Sequence, residues 1–182
     1  MLNKELIYKV NEIYSEKELT YTFISKGKND IIKVIQYSVV QKIGGNYLYN
    51  LGFGDYNVEN DTIIDDIASN NNDTYRVFNT VLSTIPKFFE KHKNDYLIVS
   101  GSDAEADYIS QCIKNCIRKC TLECKKYNRR INIYNAYINK NFETLIVEYQ
   151  FFGGNKDQSE MLLFENYLRF KKYDFVLILK KQ

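Results

Sequence analysis

The sequence predicts a mixed α/β (α+β) protein in which an antiparallel three-strand meander precedes a helix–strand–helix–strand segment. Two observations carry this prediction. Runs rich in β-branched and aromatic residues alternate with turn residues over the first third of the chain, as the strands of hairpins do. Farther along, apolar residues recur at helical spacing between short apolar runs of the kind that lie in a sheet. Together the two patterns favour a sheet flanked by helices.

The first half of the chain is predicted to contain a three-strand meander, a loop and a helix. Residues 1–18 fit either an edge strand or a short helix, and a polar, turn-rich loop covers residues 58–73. Asp73 is a suitable N-cap for a helix whose apolar stripe begins at Val77. The strands of the meander are predicted at LTYTFISKG, IIKVIQYSVV and NYLYNLGFGDYN.

The second half is predicted to alternate strands with helices. The run DYLIVSG predicts a buried strand, and a second helix is expected from Asp103 to about Tyr127. A helical or looped piece covers residues 129–142. The runs TLIVEYQFF and YDFVLIL predict strands, and SEMLLFENYLRF between them predicts a short helix.

Length and composition indicate one globular domain. The chain has 182 residues, of which 45% are hydrophobic and 26% charged, and this is enough to bury a core. The sequence has no run of 18 apolar residues and no signal-peptide h-region, so we expect a cytoplasmic protein without a membrane partner. The net charge of +2 implies no partner by itself, and the sequence does not fix the oligomeric state.

Charge is distributed unevenly along the chain. Residues 51–75 contain acids and no Lys or Arg, whereas residues 112–130 contain many bases and a single acid, Glu123. These segments are either solvated surfaces or binding surfaces, and the basic one would take a protein partner or nucleic-acid phosphates. The predicted partner-binding residues are Lys114, Arg118, Lys119, Lys125, Arg129 and Arg130.

All four cysteines lie in CIKNCIRKCTLEC, residues 112–124, at intervals of four. On a helix this spacing places Cys112 and Cys124 about 18 Å apart, so a straight helix cannot gather four thiolates around one zinc. Neighbouring Cβ atoms, about 5–6 Å apart, are also too distant for a disulfide. The ladder is therefore predicted to pack in the core, with a shared metal, a redox role or an inter-chain disulfide as alternatives, and no metal site is assigned.

Part of the chain resembles a known family. The runs YTFISKG, IIKVIQY, YNLGFGD, IDDIASNNND and RVFNTV, with VSGS less closely, are similar to an uncharacterised family of small bacterial proteins of the Bacteroidota type. The resemblance spans Thr20 to about Asp107 and implies no settled activity. In that family an Arg-containing helix follows the GS pair, and here RRINIYNAYINKNFETL matches it better than DAEADY. On that alignment residues 103–128 are a helical insertion in a single domain of residues 1–182; the alternative is an alignment without an insertion.

The order of elements also resembles the core of the GNAT-type N-acyltransferase fold. There, the N-terminal amides of a helix that follows the meander hold the pyrophosphate of acyl-CoA, and a later strand–helix unit supplies a tyrosine as general acid. The resemblance implies that Tyr134, or Tyr108 without the insertion, is that acid. The loop SNNND would face the phosphates, because a helix N-terminus binds anions and Asn tolerates left-handed conformations. The implied cofactor-binding residues are Ser69, Asn70, Asn71, Asn72 and Asp73.

Two functions remain on these grounds. The first is an acyl-CoA-dependent N-acyltransferase that modifies an amine on RNA or protein. The alternative is a non-catalytic binding module, or a toxin-like component of a phage-defence or toxin–antitoxin locus, which binds protein or nucleic acid through the basic helix.

Overall fold

The computed structural model describes residues 6–15, 18–64, 71–101, 103, 110, 127–156 and 162–182. The chain forms two compact units, Met1–Asp95 and Tyr96–Gln182. The strands of the described residues are β1 Asn11–Tyr14, β2 Glu18–Ser25, β3 Ile31–Ile43, β4 Asn46–Asn57, β5 Thr62–Ile64, β6 Tyr96–Ser100, β7 Tyr149–Lys156, β8 Leu162–Asn166 and β9 Phe175–Lys180. The helices are α1 Thr74–Lys91 and α2 Arg129–Glu148.

The first unit is built on an antiparallel meander in which each of the strands β1 to β4 pairs with the strand that follows it. Leu19, Tyr21 and Phe23 of β2 are buried and the residues between them are more exposed, which is the period of two expected of a strand with one face on a core. The three strands predicted for the meander are present as β2, β3 and β4. The ambiguous first segment contains the edge strand β1, and the predicted loop contains the short strand β5.

Helix α1 covers one face of this meander. The Phe88 ring stacks on Tyr37 of β3 at a centroid distance of 4.7 Å and meets Tyr49 of β4 edge-on at 5.1 Å. The hydroxyls of Tyr37 and Thr84 are hydrogen-bonded at 2.7 Å beside these rings. Because Val81 and Phe89 are buried as well, the apolar stripe that predicted this helix is its sheet-facing side.

The second unit contains a four-strand antiparallel sheet in the order β6–β9–β7–β8. Helix α2 belongs to this unit, and its residues Ile131, Tyr134 and Ile138 are buried. The Asn135 side chain donates a hydrogen bond to the carbonyl of Tyr173 at 3.3 Å, which ties the helix to the segment that leads into β9. The strands predicted at DYLIVSG and YDFVLIL are present as β6 and β9.

The strand predicted at TLIVEYQFF is correct only from Tyr149 onward. Its first residues, 144–148, complete helix α2, although the backbone of Asn141 departs from helical geometry. The C-terminal carbonyls of a helix need partners from outside it. Lys181 supplies them, because its N–H donates to the Glu148 carbonyl at 2.8 Å and its ammonium donates to the Ile146 carbonyl. This long-range contact outweighs the local preference of Ile and Val for a strand.

The short helix predicted at SEMLLFENYLRF is wrong, because Leu162–Asn166 form the strand β8. Glu, Met and Leu favour helices locally, but propensity is a weak prior against tertiary pairing. Here β8 pairs along β7, and the Phe164 ring packs edge-on against Phe175 of β9 at 5.0 Å. Pairing and ring packing therefore decide the conformation.

The broad α+β class is confirmed. The predicted helix from Asp103 to Tyr127 and the cysteine ladder lie almost wholly outside the described residues. The predicted organisation, a single domain with an insertion at residues 103–128, stays a prediction.

Candidate functional site at the start of helix α1

The carboxylate of Asp73, at the N-cap position of α1, is the centre of a polar cluster. Its Oδ2 accepts hydrogen bonds from the hydroxyl of Tyr8 at 2.8 Å and the hydroxyl of Ser25 at 2.6 Å. The Asp73 side chain makes no capping bond to the helix, contrary to the usual role of an N-cap aspartate. We call Tyr8, Ser25, Asn71, Asp73 and Arg76 the Asp73 cluster.

Asn71 fastens the loop before α1 to the turn between β2 and β3. Its side-chain amide donates to the Ser25 hydroxyl at 3.0 Å and to the Asn29 carbonyl at 2.9 Å. Gly27 in the same turn permits this approach, because a Cβ there would overlap the Asn71 side chain. Asn72, which follows, is exposed and takes a left-handed backbone conformation with φ 56°. The loop thus has the left-handed asparagine expected of it, but the Asn71 amide is already engaged.

Tyr8 brings the segment before β1 to the cluster. Its N–H donates to the Thr80 hydroxyl of α1 at 2.8 Å, and its ring stacks on Phe23 at 5.3 Å. The Arg76 guanidinium lies 4.0 Å from the centroid of the Tyr8 ring, within cation–π range. Burial first, and then the hydrogen bond to Asp73, raise the pKa of the Tyr8 hydroxyl. Tyr8 therefore stays protonated as a donor to Asp73 at neutral pH.

The first turn of α1 has the electrostatic character of an anion site. It contains no acidic residue and does contain the exposed Arg76. The first N–H groups of a helix have no partner within it, and the helix dipole makes this end positive. Because the Asp73 side chain bonds to Tyr8 and Ser25, it does not occupy these N–H groups. The negative charge of Asp73 itself opposes the binding of an anion at this turn.

A buried ion pair lies on the same face of the meander as the Asp73 cluster. Lys33 of β3 stands opposite Asp55 of β4 in the register, and the two side chains are paired. Lys33 is only 4% exposed, and its ammonium lies 6.0 Å from the centroid of the Phe53 ring. On the other side of β3, Phe23 of β2 stands opposite Lys33. Ser25 follows Phe23 by two residues on β2. The polar groups of this sheet end are therefore close neighbours in the fold.

The predicted phosphate-facing loop is described only in part. Ser69 and Asn70 lie outside the described residues, whereas Asn71, Asn72 and Asp73 are placed directly before α1. The sequence did not predict that Tyr8, Ser25, Lys33 and Asp55 lie near this loop. Ser25, Lys33 and Asp55 do lie in the runs YTFISKG, IIKVIQY and YNLGFGD that carry the family resemblance, so the runs meet at one end of the sheet.

The candidate general acid Tyr134 lies on α2 in the second unit, and Tyr108 lies outside the described residues. Burial raises the pKa of Tyr134 to about 12, an effect that Arg130 opposes and Asp103 reinforces. Nearby, the Arg130 N–H donates to Oδ2 of the buried Asp103 at 3.0 Å, and burial raises the pKa of that carboxyl. Tyr134 is therefore protonated at neutral pH, and its proton is harder to remove than that of an ordinary tyrosine.

The predicted basic surface is mostly not described. Lys114, Arg118, Lys119 and Lys125 lie outside the described residues, so this surface stays a prediction. Arg129 is exposed in the first turn of α2, whereas the backbone of Arg130 is engaged by Asp103. The two described members thus have different environments.

His92, the single histidine, follows α1 and pairs with Asp95 through its Nδ1 at 3.0 Å. Its ring stacks on Phe88 at 4.8 Å and contacts Tyr49 at 4.6 Å. Its Nε2 is buried and has no hydrogen-bond partner among the described residues. These ring contacts are those of a core residue.

In the ranges that the structure covers, no group of three or more His, Cys, Asp or Glu side chains is placed to hold a metal ion. Neither of the described helices combines the length and apolar character that crossing a membrane requires.

A family model described as a family of unknown function, DUF6934, matches residues 4–125. The matched segment contains every run that carries the resemblance noted above, the Asp73 cluster and the cysteine ladder. The expected membership of a family without an assigned activity is thereby confirmed. No curated protein and no solved structure matches the chain.

Proposed function

We propose that this chain, which belongs to the DUF6934 family of unknown function, is an acyl-CoA-dependent N-acyltransferase of GNAT-like fold that modifies an amine on RNA or protein. The observation that carries the proposal is the first turn of α1, which has Arg76, no acid and no side-chain cap. Such a turn suits a pyrophosphate, because free N–H groups and the positive end of the dipole face the anion. The order meander, helix, strand, helix, strand supports the same fold.

In the proposed reaction the acceptor amine attacks the thioester carbonyl carbon. The carbon–sulfur bond then breaks, the thiolate takes the proton of Tyr134, and the proton that the amine releases to solvent is replaced on Tyr134 from solvent. The GNAT resemblance gives this role to Tyr134; burial raises its pKa to about 12, so it is protonated at neutral pH but is a weaker acid than an ordinary tyrosine. The N–H groups of the first turn of α1 and the Arg76 guanidinium would hold the pyrophosphate.

Calorimetric titration with acetyl-CoA tests the proposal. We expect acetyl-CoA to bind and acetyl-pantetheine, which lacks the pyrophosphate, to bind much more weakly. Arg76→Glu should weaken acetyl-CoA binding at least about tenfold, because it replaces attraction by repulsion at the anion. Lys93→Glu makes the same change of charge beyond the other end of α1 and should leave binding unchanged. Absence of acetyl-CoA binding at millimolar concentration would refute the proposal.

The charge of Asp73 gives a prediction with the opposite sign. Asp73→Asn keeps an oxygen that Tyr8 and Ser25 can donate to, but removes a negative charge from the proposed pyrophosphate site. Acetyl-CoA should therefore bind about 2- to 5-fold more tightly, in line with the usual strength of charge–dipole effects. The matched control is Asp61→Asn, whose carboxylate also accepts from a tyrosine, Tyr56, but away from α1. Weaker binding by Asp73→Asn, with Asp61→Asn unchanged, would place the anion elsewhere.

A further inference from the structure

We propose that the turn formed by residues 168–172, sequence LRFKK, is a binding surface for single-stranded nucleic acid in which Phe170 stacks on a base. The turn lies in the second unit, just before β9, and shares no residue with the Asp73 cluster. The inference therefore stands or falls separately from acyl-CoA binding.

Phe170 is the more exposed of the two large apolar residues in this turn. Its side chain is 76% exposed, and Leu168 beside it is 53% exposed. The backbone of Phe170 is left-handed, with φ 66°. That conformation is unfavourable for a bulky residue and persists only where the surroundings enforce it. An exposed ring on a backbone in this conformation points to a use at the surface.

The surroundings of the turn hold Phe170 in place. Its N–H donates to Oδ1 of Asn139 on α2 at 3.1 Å. Arg169 donates to the Asn139 carbonyl at 3.1 Å and pairs with Glu143 at 3.1 Å. The N–H of Leu168 donates to the Tyr173 hydroxyl at 3.0 Å. A ring that is displayed on an anchored turn loses little freedom on binding, which favours affinity.

The chemistry around the ring suits a nucleotide. The Arg169 guanidinium lies 5.2 Å from the centroid of the Phe170 ring. Lys171 and Lys172 follow directly in the chain and are exposed, and the Lys171 ammonium lies 5.7 Å from the centroid of the Tyr173 ring, so the same short turn carries three cations. Lys171 pairs with Glu165, and Arg169 with Glu143. Surface pairs of this kind are weak, so a phosphate can replace either carboxylate. Sites for single strands combine such cations with an aromatic platform.

The same features disfavour other partners. Two apolar side chains bury little area in a bilayer, so a lipid contact of this turn would depend mainly on its cations. Double-stranded nucleic acid keeps its bases stacked within the duplex, so it could meet only the cations of the turn. A single strand alone uses both the ring and the cations.

Fluorescence anisotropy with labelled oligothymidylate and oligouridylate of about 20 nucleotides tests the proposal, since this length covers at least one site of the usual size. We expect binding that weakens between about 50 and 200 mM salt, because phosphate contacts release counterions. A duplex of the same length should bind more weakly. No binding of either single strand at low salt, or equal binding of the duplex, would overturn the proposal.

Substitutions of Phe170 separate stacking from a simple apolar contact. Phe170→Leu keeps an apolar side chain and should weaken binding about 5- to 150-fold, the usual effect of losing one stacking ring, whereas Phe170→Trp should retain it. Phe170→Gly should lose the same affinity but raise the Tm by about 2–4 °C, because it relieves the left-handed backbone. Full binding by Phe170→Leu would contradict stacking. Binding to phosphatidylserine-containing vesicles in place of the oligonucleotides would assign the turn to a lipid surface and reject the proposal.

Discussion

Lys33 and Asp55 form an ion pair that is almost withdrawn from water between β3 and β4. Removing charges from water is costly, and only a partner of opposite charge offsets the cost. We therefore expect Lys33→Ala to destabilise the protein by about 3–5 kcal/mol, because it leaves Asp55 without its partner. The double variant Lys33→Met with Asp55→Leu should lose much less, since neither charge remains.

Denaturant unfolding of Lys33→Ala, Asp55→Leu and the double variant of Lys33→Met with Asp55→Leu tests this coupling. The control is the exposed pair of Lys91 with Glu12, where Lys91→Met should change the stability far less, because exposed ion pairs are weak. If Lys33→Ala unfolds no more easily than Lys91→Met, the ion pair is not buried in solution and the polar end of the meander is open to water.

Asp73 illustrates what can be predicted from a sequence at the residue scale. Its position before an apolar stripe identifies it as the N-cap residue of α1, and this is correct. Its side chain, however, bonds to Tyr8 and Ser25, which are 65 and 48 residues away in the chain. Local preferences cannot anticipate partners at that separation. The position of the candidate site could therefore be predicted, whereas its hydrogen-bond partners could not.

At the scale of elements the same distinction separates β2 from β8. The alternation of Leu19, Tyr21 and Phe23 is visible in the sequence because one face of β2 meets a core. Strand β8 lies at an edge, and its exposed Leu163 and Phe164 are adjacent, so no alternation marks it as a strand. Its conformation depends on pairing with β7, which is information about another segment. Short edge strands are accordingly where a prediction from one sequence fails.

Strand β7 depends on two glycines that admit aromatic rings. A Cβ on Gly154 would overlap the ring of Phe175, and one on Gly153 would overlap the ring of Tyr173. Gly154→Ala should therefore destabilise the second unit by about 1–3 kcal/mol, the usual cost of overpacking a filled core. Phe175 is buried and carries the contact with Phe164, so its ring cannot simply move aside.

Unfolding curves of Gly154→Ala and of its double variant with Phe175→Leu test this packing. The smaller leucine should recover part of the loss, because it vacates space beside residue 154. Gly45→Ala is the matched control, since a Cβ at Gly45 meets no atom within 4 Å. Equal stability of the Gly154 and Gly45 variants would show that the ring of Phe175 does not lie over β7.

Across the whole molecule the cores of both units are built on aromatic rings. The chain contains 16 tyrosines, 11 phenylalanines and no tryptophan. Tyr49 of the first unit contacts Phe88, and Tyr167 of the second contacts Tyr173 and Phe151. A core of tyrosines buries ionisable hydroxyls along with apolar rings. The stability of such a core must therefore fall at alkaline pH.

Burial raises the pKa of Tyr49, Tyr134 and Tyr167 to about 12, and it raises that of Tyr21 as well. Below pH 10, the ordinary pKa of tyrosine, these hydroxyls are protonated in both the folded and the unfolded chain. Above pH 10 they ionise in the unfolded chain but not in the folded one, so deprotonation favours unfolding. We expect the contribution of these tyrosines to stability to be constant up to about pH 10 and to fall between about pH 10 and 12. Absorbance at the tyrosinate band, followed together with circular dichroism, should show the exposed tyrosines ionising first and the buried ones ionising as the chain unfolds. A single titration of all tyrosines near pH 10, with the circular dichroism unchanged, would mean that the cores are not closed around these hydroxyls.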